Sequence, residues 1–154
     1  MIIGDSSALI ALAIIDKLEL LDKIFGKVYV PKAVYEELCS NKKAQSQKLE
    51  IFLKDRVIDI NLTLKYVGLG QGELEAIALY KEMNAEFLLI DDKRAKNFAK
   101  LNNINTIGSL GVLILAKELG FLKSIKSDIN KLQKSKIYIS PSLIKKVLKR
   151  VGED

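Results

Sequence analysis

A three-layer α/β fold, with a central parallel sheet of four to five strands flanked by helices, is predicted by three features of this sequence. Short runs rich in β-branched and apolar residues recur at Met1 to Ile3, Lys27 to Val30, Val57 to Ile60, Phe87 to Ile90 and Asn105 to Ile107. They show little polar alternation, as expected of strands buried on both faces. Segments with apolar residues at helical spacing lie between them. Strand and helix therefore alternate along the chain, which implies parallel strands joined by right-handed crossovers.

Each element follows from local chemistry. Met1 to Ile3 stops at Gly4 and Asp5, after which Ala8, Leu9, Leu12 and Ile15 recur at helical spacing, so Asp5 lies at a strand-to-helix turn. Asp16 to Phe25 carries Leu18, Leu20, Leu21 and Ile24 among charges, a short amphipathic helix that Gly26 ends. After the second strand, Pro31 suits the first turn of a helix, where its missing N–H costs nothing. That helix runs through Val34, Tyr35 and Leu38 to about Ser40. Asn41 to Lys54 makes another, with Leu49, Phe52 and Leu53 on one side. Leu62 to Gly72 holds three glycines and reads as a loop before a helix over Glu73 to Met83. Helices are expected over Lys93 to Leu101 and Ser109 to Leu119, the latter ended by Gly120. Lys123 to Ser135 reads as a polar helix, Ile137 to Ile139 as an extended piece, and Pro141 to Val151 as a last amphipathic helix.

The chain's 154 residues suit one domain, 1–154, with a basic helical section over 121–154. Apolar residues make up 49% and charged residues 29%, which argues against disorder. The longest apolar run, Ala8 to Ile15, has eight residues, far fewer than the ~20 that a membrane helix needs. No basic stretch precedes it as in a signal peptide, so a cytoplasmic protein with no membrane partner is expected. Cys39 is the only cysteine and there is no histidine. That excludes an internal disulfide, zinc sites of the usual nitrogen and sulfur ligands, and the imidazole-based triads. Carboxylates, lysines, hydroxyls and hard metal ions remain.

Charge is unevenly placed. Residues 1–120 carry 16 Lys and Arg against 16 Asp and Glu, whereas residues 121–154 carry 9 against 3, so the formal +6 resides wholly in the last section. Acidic residues recur where the strand–helix layout returns to one sheet edge. Asp5 ends the first strand, Glu37 lies in the helix after the second, Glu73 opens the helix after the glycine loop, and Asp91 and Asp92 end the fourth strand. Each has an ordinary explanation: Asp5 and Asp92 as N-caps, Glu73 at the positive end of its helix, Glu37 on a solvent face. Ligands of open α/β sheets collect at that edge, and four such placements favour a shared role.

The ordered set Ile-Ile-Gly-Asp-Ser-Ser-Ala-Leu, Val-Pro-Lys-Ala-Val-Tyr-Glu-Glu-Leu, Gly-Gln-Gly-Glu-Leu-Glu-Ala-Ile-Ala-Leu and Phe-Leu-Leu-Ile-Asp-Asp-Lys-Arg-Ala resembles the PIN-domain ribonucleases. The likeness is to a prokaryotic branch close to the toxins of toxin–antitoxin pairs. It extends through Thr-Ile-Gly-Ser-Leu-Gly-Val-Leu and the closing Ile-Ser-Pro-Ser-Leu-Ile-Lys-Lys-Val-Leu, so it covers nearly the whole chain. The resemblance implies three or four carboxylates around Mg2+ or Mn2+: Asp5 first, Glu37 second because it directly precedes the leucine, and Glu73 third. The fourth comes from the Asp91–Asp92 pair, where Asp92 has the family's Lys-Arg context and Asp91 is then support or cap. Glu75 competes with Glu73, since two residues apart on a helix they cannot face the same way. The resemblance also implies a homodimer and an antitoxin protein over the acidic cleft.

Such residues suit RNA phosphodiester hydrolysis. Mg2+ takes oxygen ligands and keeps several waters; one ion can generate the attacking hydroxide and a second can stabilise the leaving oxygen. Ser6 and Ser109 are candidate polar supports, and Lys145, Lys146, Lys149 and Arg150 are candidate RNA contacts. Rival folds fit less well. A response-regulator receiver opening at Leu88 would have only 62 residues after Asp92, and Gly68, Gly70 and Gly72 lack dinucleotide-binding spacing. The alternative is a catalytically silent PIN-fold protein that binds RNA or a protein partner.

Overall fold

The computed structural model describes residues 1–40, 44–61 and 68–154. The strands are β1 (Ile2–Gly4), β2 (Val28–Pro31), β3 (Val57–Ile58), β4 (Phe87–Leu89) and β5 (Thr106–Ile107). The helices are α1 (Ser6–Ile14), α2 (Glu19–Phe25), α3 (Lys32–Ser40), α4 (Ser46–Leu53), α5 (Gln71–Met83), α6 (Lys93–Leu101), α7 (Ser109–Glu118), α8 (Lys126–Lys134) and α9 (Pro141–Val151). All strand pairs are parallel, in the order β3-β2-β1-β4-β5. The sheet thus has the predicted architecture. The chain winds outward from β1 through β2 to β3 and then restarts on the other side at β4. Where such an order reverses, the loops at the carboxyl ends of the two strands diverge and leave a crevice. Here that point lies between β1 and β4, where Asp5 and the Asp91–Asp92 pair emerge.

Successive strand residues face opposite sides. Ile2, Val28, Val30 and Leu89 enter a core with α1, α2, α3, α4, α7 and α8. Ile3, Leu88 and Ile90 enter a second core with α5 and α6. α1 is buried almost all round, through Ala8, Leu9, Ala11, Leu12 and Ala13, because helices cover it on several sides. Fully burying one such leucine contributes about 1.5–3 kcal/mol. The same enclosure surrounds the residue before the helix, Asp5.

Several boundaries differ from those expected. Pro31 closes β2 opposite Ile58, and α3 starts one residue later; with no N–H to give, Pro31 is tolerated where the ladder ends. α2 starts at Glu19, after Asp16 turns the chain at φ +55°. α5 starts at Gln71, so Glu73 sits inside its first turn instead of opening it. Ile90 lies beyond β4, although its N–H still donates to Ile107 O. Residues 137–139 join no strand; Ile137 and Ile139 pack against the first core. Residues 41–43 of one expected helix and 62–67 of the expected glycine loop lie outside the described residues.

The chain end docks through one carboxylate. Glu153 accepts from Lys117 Nζ at 2.9 Å, from the N–H groups of Ile125 and Lys126, and from the Ser124 hydroxyl. It thereby caps α8, whose own N-cap residue is Ile125 and offers no side-chain acceptor. Burial works to raise the Glu153 pKa, but the Ser124, Lys117, Ile125 and Lys126 donors outweigh it and hold it at about 2, against 4.5 ordinarily. A depressed acid stabilises the fold above its unfolded value and loses that contribution as pH falls through its folded value. Glu153→Gln is therefore expected to cost about 1–2 kcal/mol at neutral pH, with the gap from wild type closing between pH 4.5 and about 2. Chemical denaturation across that range checks it.

Candidate functional site

Asp5 occupies the N-cap position of α1 but does not cap it. Its side chain makes no capping bond to the helix, and its backbone N–H extends the β1–β4 ladder by donating to Leu89 O at 2.9 Å. The residue is only 2% exposed. Its Oδ1 is buried with no hydrogen-bond partner among the described residues. A buried carboxylate oxygen left unpaired is costly, and native structures satisfy most such groups. Burial pushes the Asp5 pKa from 3.8 up to about 7; the Ser6 N–H opposes this, while Glu73, Glu37 and Asp92 add to it by charge repulsion.

Those three repelling groups are the acids that the sequence singles out on other elements. Glu37 projects from α3, and its Oε1 accepts from Ser6 Oγ at 3.3 Å. Its other oxygen lies against Gly72 of α5, where a Cβ would stand 3.0 Å from Glu37 Oε2 and 3.2 Å from a Val34 methyl. Gly72 thus permits α3 and α5 to approach closely. Glu73, one residue on, has its pKa raised by burial and by Asp92 and Glu37, against the opposing Gly70 N–H and Arg94. Its Oε2 accepts the Gly70 N–H at 3.1 Å. Asp92 caps α6 through Ala95 N at 2.9 Å. Glu37, Glu73 and Asp92 are therefore each within electrostatic reach of Asp5, and Glu37 and Asp92 of Glu73, at the crevice between β1 and β4.

The other candidates are placed apart from this group or support it. Glu75 is 7% exposed and points the opposite way, accepting from Ala33 N at 3.3 Å and Gln71 Nε2 at 2.9 Å; it anchors the start of α3. Asp91 is turned toward α7, where Ser109 donates both its N–H at 2.7 Å and its hydroxyl at 2.6 Å. Ser109 therefore serves Asp91, and Ser6 serves Glu37. Lys145, Lys146, Lys149 and Arg150 are exposed on α9. Arg150 pairs with Glu118, at the end of α7 remote from Ser109, about 13 Å along the helix at 1.5 Å per residue. The structure does not bring Arg150 to the acids.

Three contributors escaped the sequence reading. Ser7 Oγ accepts the N–H of Asp91 at 3.0 Å and of Asp92 at 3.2 Å, tying the end of β4 to α1. Arg94 lies against Gly68, whose φ is +99° and whose Cβ would stand 2.3 Å from the guanidinium. Lys96 lies beside Gly108. The Lys-Arg pair after Asp92 was a visible signal for cations here, but nothing local distinguished Ser7 from Ser6.

The donor set suits a hard divalent ion: several carboxylates, one of them with a buried unpaired oxygen, and neither sulfur nor imidazole nearby. Among the described residues no three carboxylates already stand in a metal-holding array. Glu37 is engaged by Ser6, Glu73 by Gly70 and Asp92 by Ala95, so assembling a ligand shell calls for side-chain rotations. A cleft of about 490 Å3, lined by Lys27, Tyr29, Phe52 and Arg56 among others, lies toward the amino ends of the strands, away from the acids. No helix among the described residues is long and apolar enough to cross a membrane.

A family model described as a PIN domain matches residues 1–153. No curated protein matches the chain significantly.

Proposed function

The chain belongs to the PIN-domain family, whose members are generally nucleases that use divalent metals, and from that premise we propose that it is a metal-dependent ribonuclease with Asp5, Glu37, Glu73 and Asp92 as its metal-holding acids. The observation that carries this reading is the buried, unpaired Oδ1 of Asp5, raised in pKa by burial and by the other three acids.

A divalent ion held there supplies Lewis-acid polarisation of a phosphate and acidifies water at neutral pH. The chain's own groups supply the geometry. The β1–β4 ladder fixes Asp5, Ser6 steadies Glu37, and Ser7 holds the backbone from which Asp92 projects. Asp91, bound by Ser109, secures the turn into α7. Hydrolysis would leave 5'-phosphate and 3'-hydroxyl ends. The resemblance to toxins makes an antitoxin over the acidic edge, and a second copy of the chain, the expected protein partners.

Labelled RNAs incubated with the purified protein in Mn2+ or in chelator test the reading: cutting in Mn2+ that chelator abolishes is expected. Homogeneous metal-loaded protein that cuts no RNA in the panel would favour a binding role.

Two further outcomes follow. Glu73→Gln should lower cleavage by roughly 10- to 100-fold, as loss of an acid that holds the metal would. Glu75→Gln should keep activity within about threefold and cost ~1 kcal/mol in stability by weakening its bond to the start of α3. Steady-state rates and melts of both variants decide which glutamate is the third acid. Because α9 is directed away from the acids at Arg150, its cations are proposed to contact RNA flanking the cleaved bond. Neutralising Lys145, Lys146 and Lys149 should flatten the salt dependence of binding, by roughly 0.7 in log–log slope per lost contact, and leave kcat nearly unchanged. An unchanged slope would place the RNA path elsewhere.

A further inference from the structure

Gly108 marks a close approach that its backbone conformation does not require. Its φ of −98° and ψ of 177° are extended values open to any residue. Yet a Cβ there would come within 2.6 Å of Asp91 Oδ1 and 3.1 Å of Lys96 Nζ. What occupies the space is a carboxylate fixed by Ser109 and an ammonium group carried in by α6. Lys96 is half-buried, and among the described residues its ammonium forms no ion pair or hydrogen bond. It stands four residues after Asp92 and so shares a helix face with it.

The sheet order sets the direction. Glu37 and Glu73 reach the crevice from α3 and α5, which pack over β2 and β1, whereas Lys96 faces the turn after β5, beyond β4. A strand of nucleic acid crossing the carboxyl edge of the sheet would meet the four acids first and the Lys96 ammonium next. A lysine ammonium is a compact point charge with three donors, able to take a phosphate oxygen from many directions without reading a base.

From this placement we infer that Lys96 binds a phosphodiester oxygen of the RNA next to the cleaved bond, as a substrate-binding residue of the site. The assignment rests on the ribonuclease reading. Gly108 is then the residue that lets this ammonium and the Asp91 carboxylate share one small space.

The test is fluorescence anisotropy of a labelled single-stranded RNA with the full chain, in chelator and over a range of salt, comparing wild type, Lys96→Met and Lys96→Arg. Lys96→Met should bind about fourfold more weakly near 0.15 M salt and lose roughly 0.7 of log–log slope, the weight of one single-strand phosphate contact. Lys96→Arg should retain both, and in Mn2+ the Met variant should raise KM more than it lowers kcat. Thermal melts confirm that each variant is folded. Wild-type affinity and slope in Lys96→Met would overturn the assignment and leave the ribonuclease reading intact. Equal losses in the Met and Arg variants would also overturn it, by showing that Lys96 only packs beside Asp91. Wild type that binds RNA without cutting it would overturn the ribonuclease reading while the anisotropy series still decides Lys96. Wild type that neither binds nor cuts would overturn both.

Discussion

Asp5→Asn is expected to lower RNA cleavage by at least about 100-fold while leaving the metal-free protein more stable than wild type at pH 7. The two effects have one origin. In the fold the Asp5 carboxyl is raised from 3.8 to about 7, by burial first and by Glu73, Glu37 and Asp92 after it. A raised acid means that the native state holds a proton which the unfolded chain has released, so ionised Asp5 opposes folding. Stability should therefore decline as pH rises from 3.8 through about 7. Asparagine removes the charge at nearly constant shape, and a gain of about 1–3 kcal/mol is expected, since one pKa unit is worth ~1.4 kcal/mol. Because the Asp5 side chain makes no capping bond, Asp5→Ala should not show the ~1 kcal/mol loss that removal of a cap brings. Melts in chelator from about pH 4 to pH 8 measure this; a wild type whose stability is flat over that range would contradict it.

Ser7→Ala should show the second largest combined loss, of stability and activity together. Its hydroxyl is the acceptor for two successive N–H groups, those of Asp91 and Asp92, and so couples the start of α1 to the end of β4. Removing it strands two donors at the strand end, at about 1–3 kcal/mol. It also frees the backbone that aims Asp92, and mutations in groups that orient metal ligands typically cost 10- to 100-fold in activity or metal affinity. The apparent Mn2+ affinity should weaken in the same proportion as kcat/KM. Ser6→Ala, which loses only the 3.3 Å bond to Glu37, should have the smaller effect. Equal activities for the two variants would show that Ser7 does not position the acid.

How far this was legible in the sequence depends on what each residue's role requires. Asp5 was visible because a buried strand and a helical period meet at it, and both signals are local. Glu37 comes from the resemblance, by its place directly before Leu38, and the burial of Val34 and Leu38 fixes the face of α3 on either side of it. Glu73 and Glu75 stayed open because the helix starts at Gln71; only with α3 packed on α5 does Glu75 face Ala33 and Glu73 the crevice. The missing N–H that suits Pro31 to the first turn of a helix equally suits the end of a strand, where it stands. Ser7, Lys96 and Gly108 were out of reach, for their partners come from strands brought together by the sheet order, which local spacing does not encode. The charge of the tail is plain from composition, but where α9 docks is set by packing on α7 and by Glu153.

The convergent acidic site is the central claim, and Mn2+-dependent thermal stabilisation of the metal-free protein tests it without any knowledge of the substrate. An ion that binds only the native state stabilises by mass action, about 2.7 kcal/mol at one hundred times its Kd. Wild type and Glu75→Gln should gain in melting temperature as Mn2+ replaces chelator, and Asp5→Asn and Glu73→Gln should gain much less. If wild type gains nothing from Mn2+, and Asp5→Asn in chelator is no more stable than wild type, then Asp5, Glu37, Glu73 and Asp92 do not form one metal site.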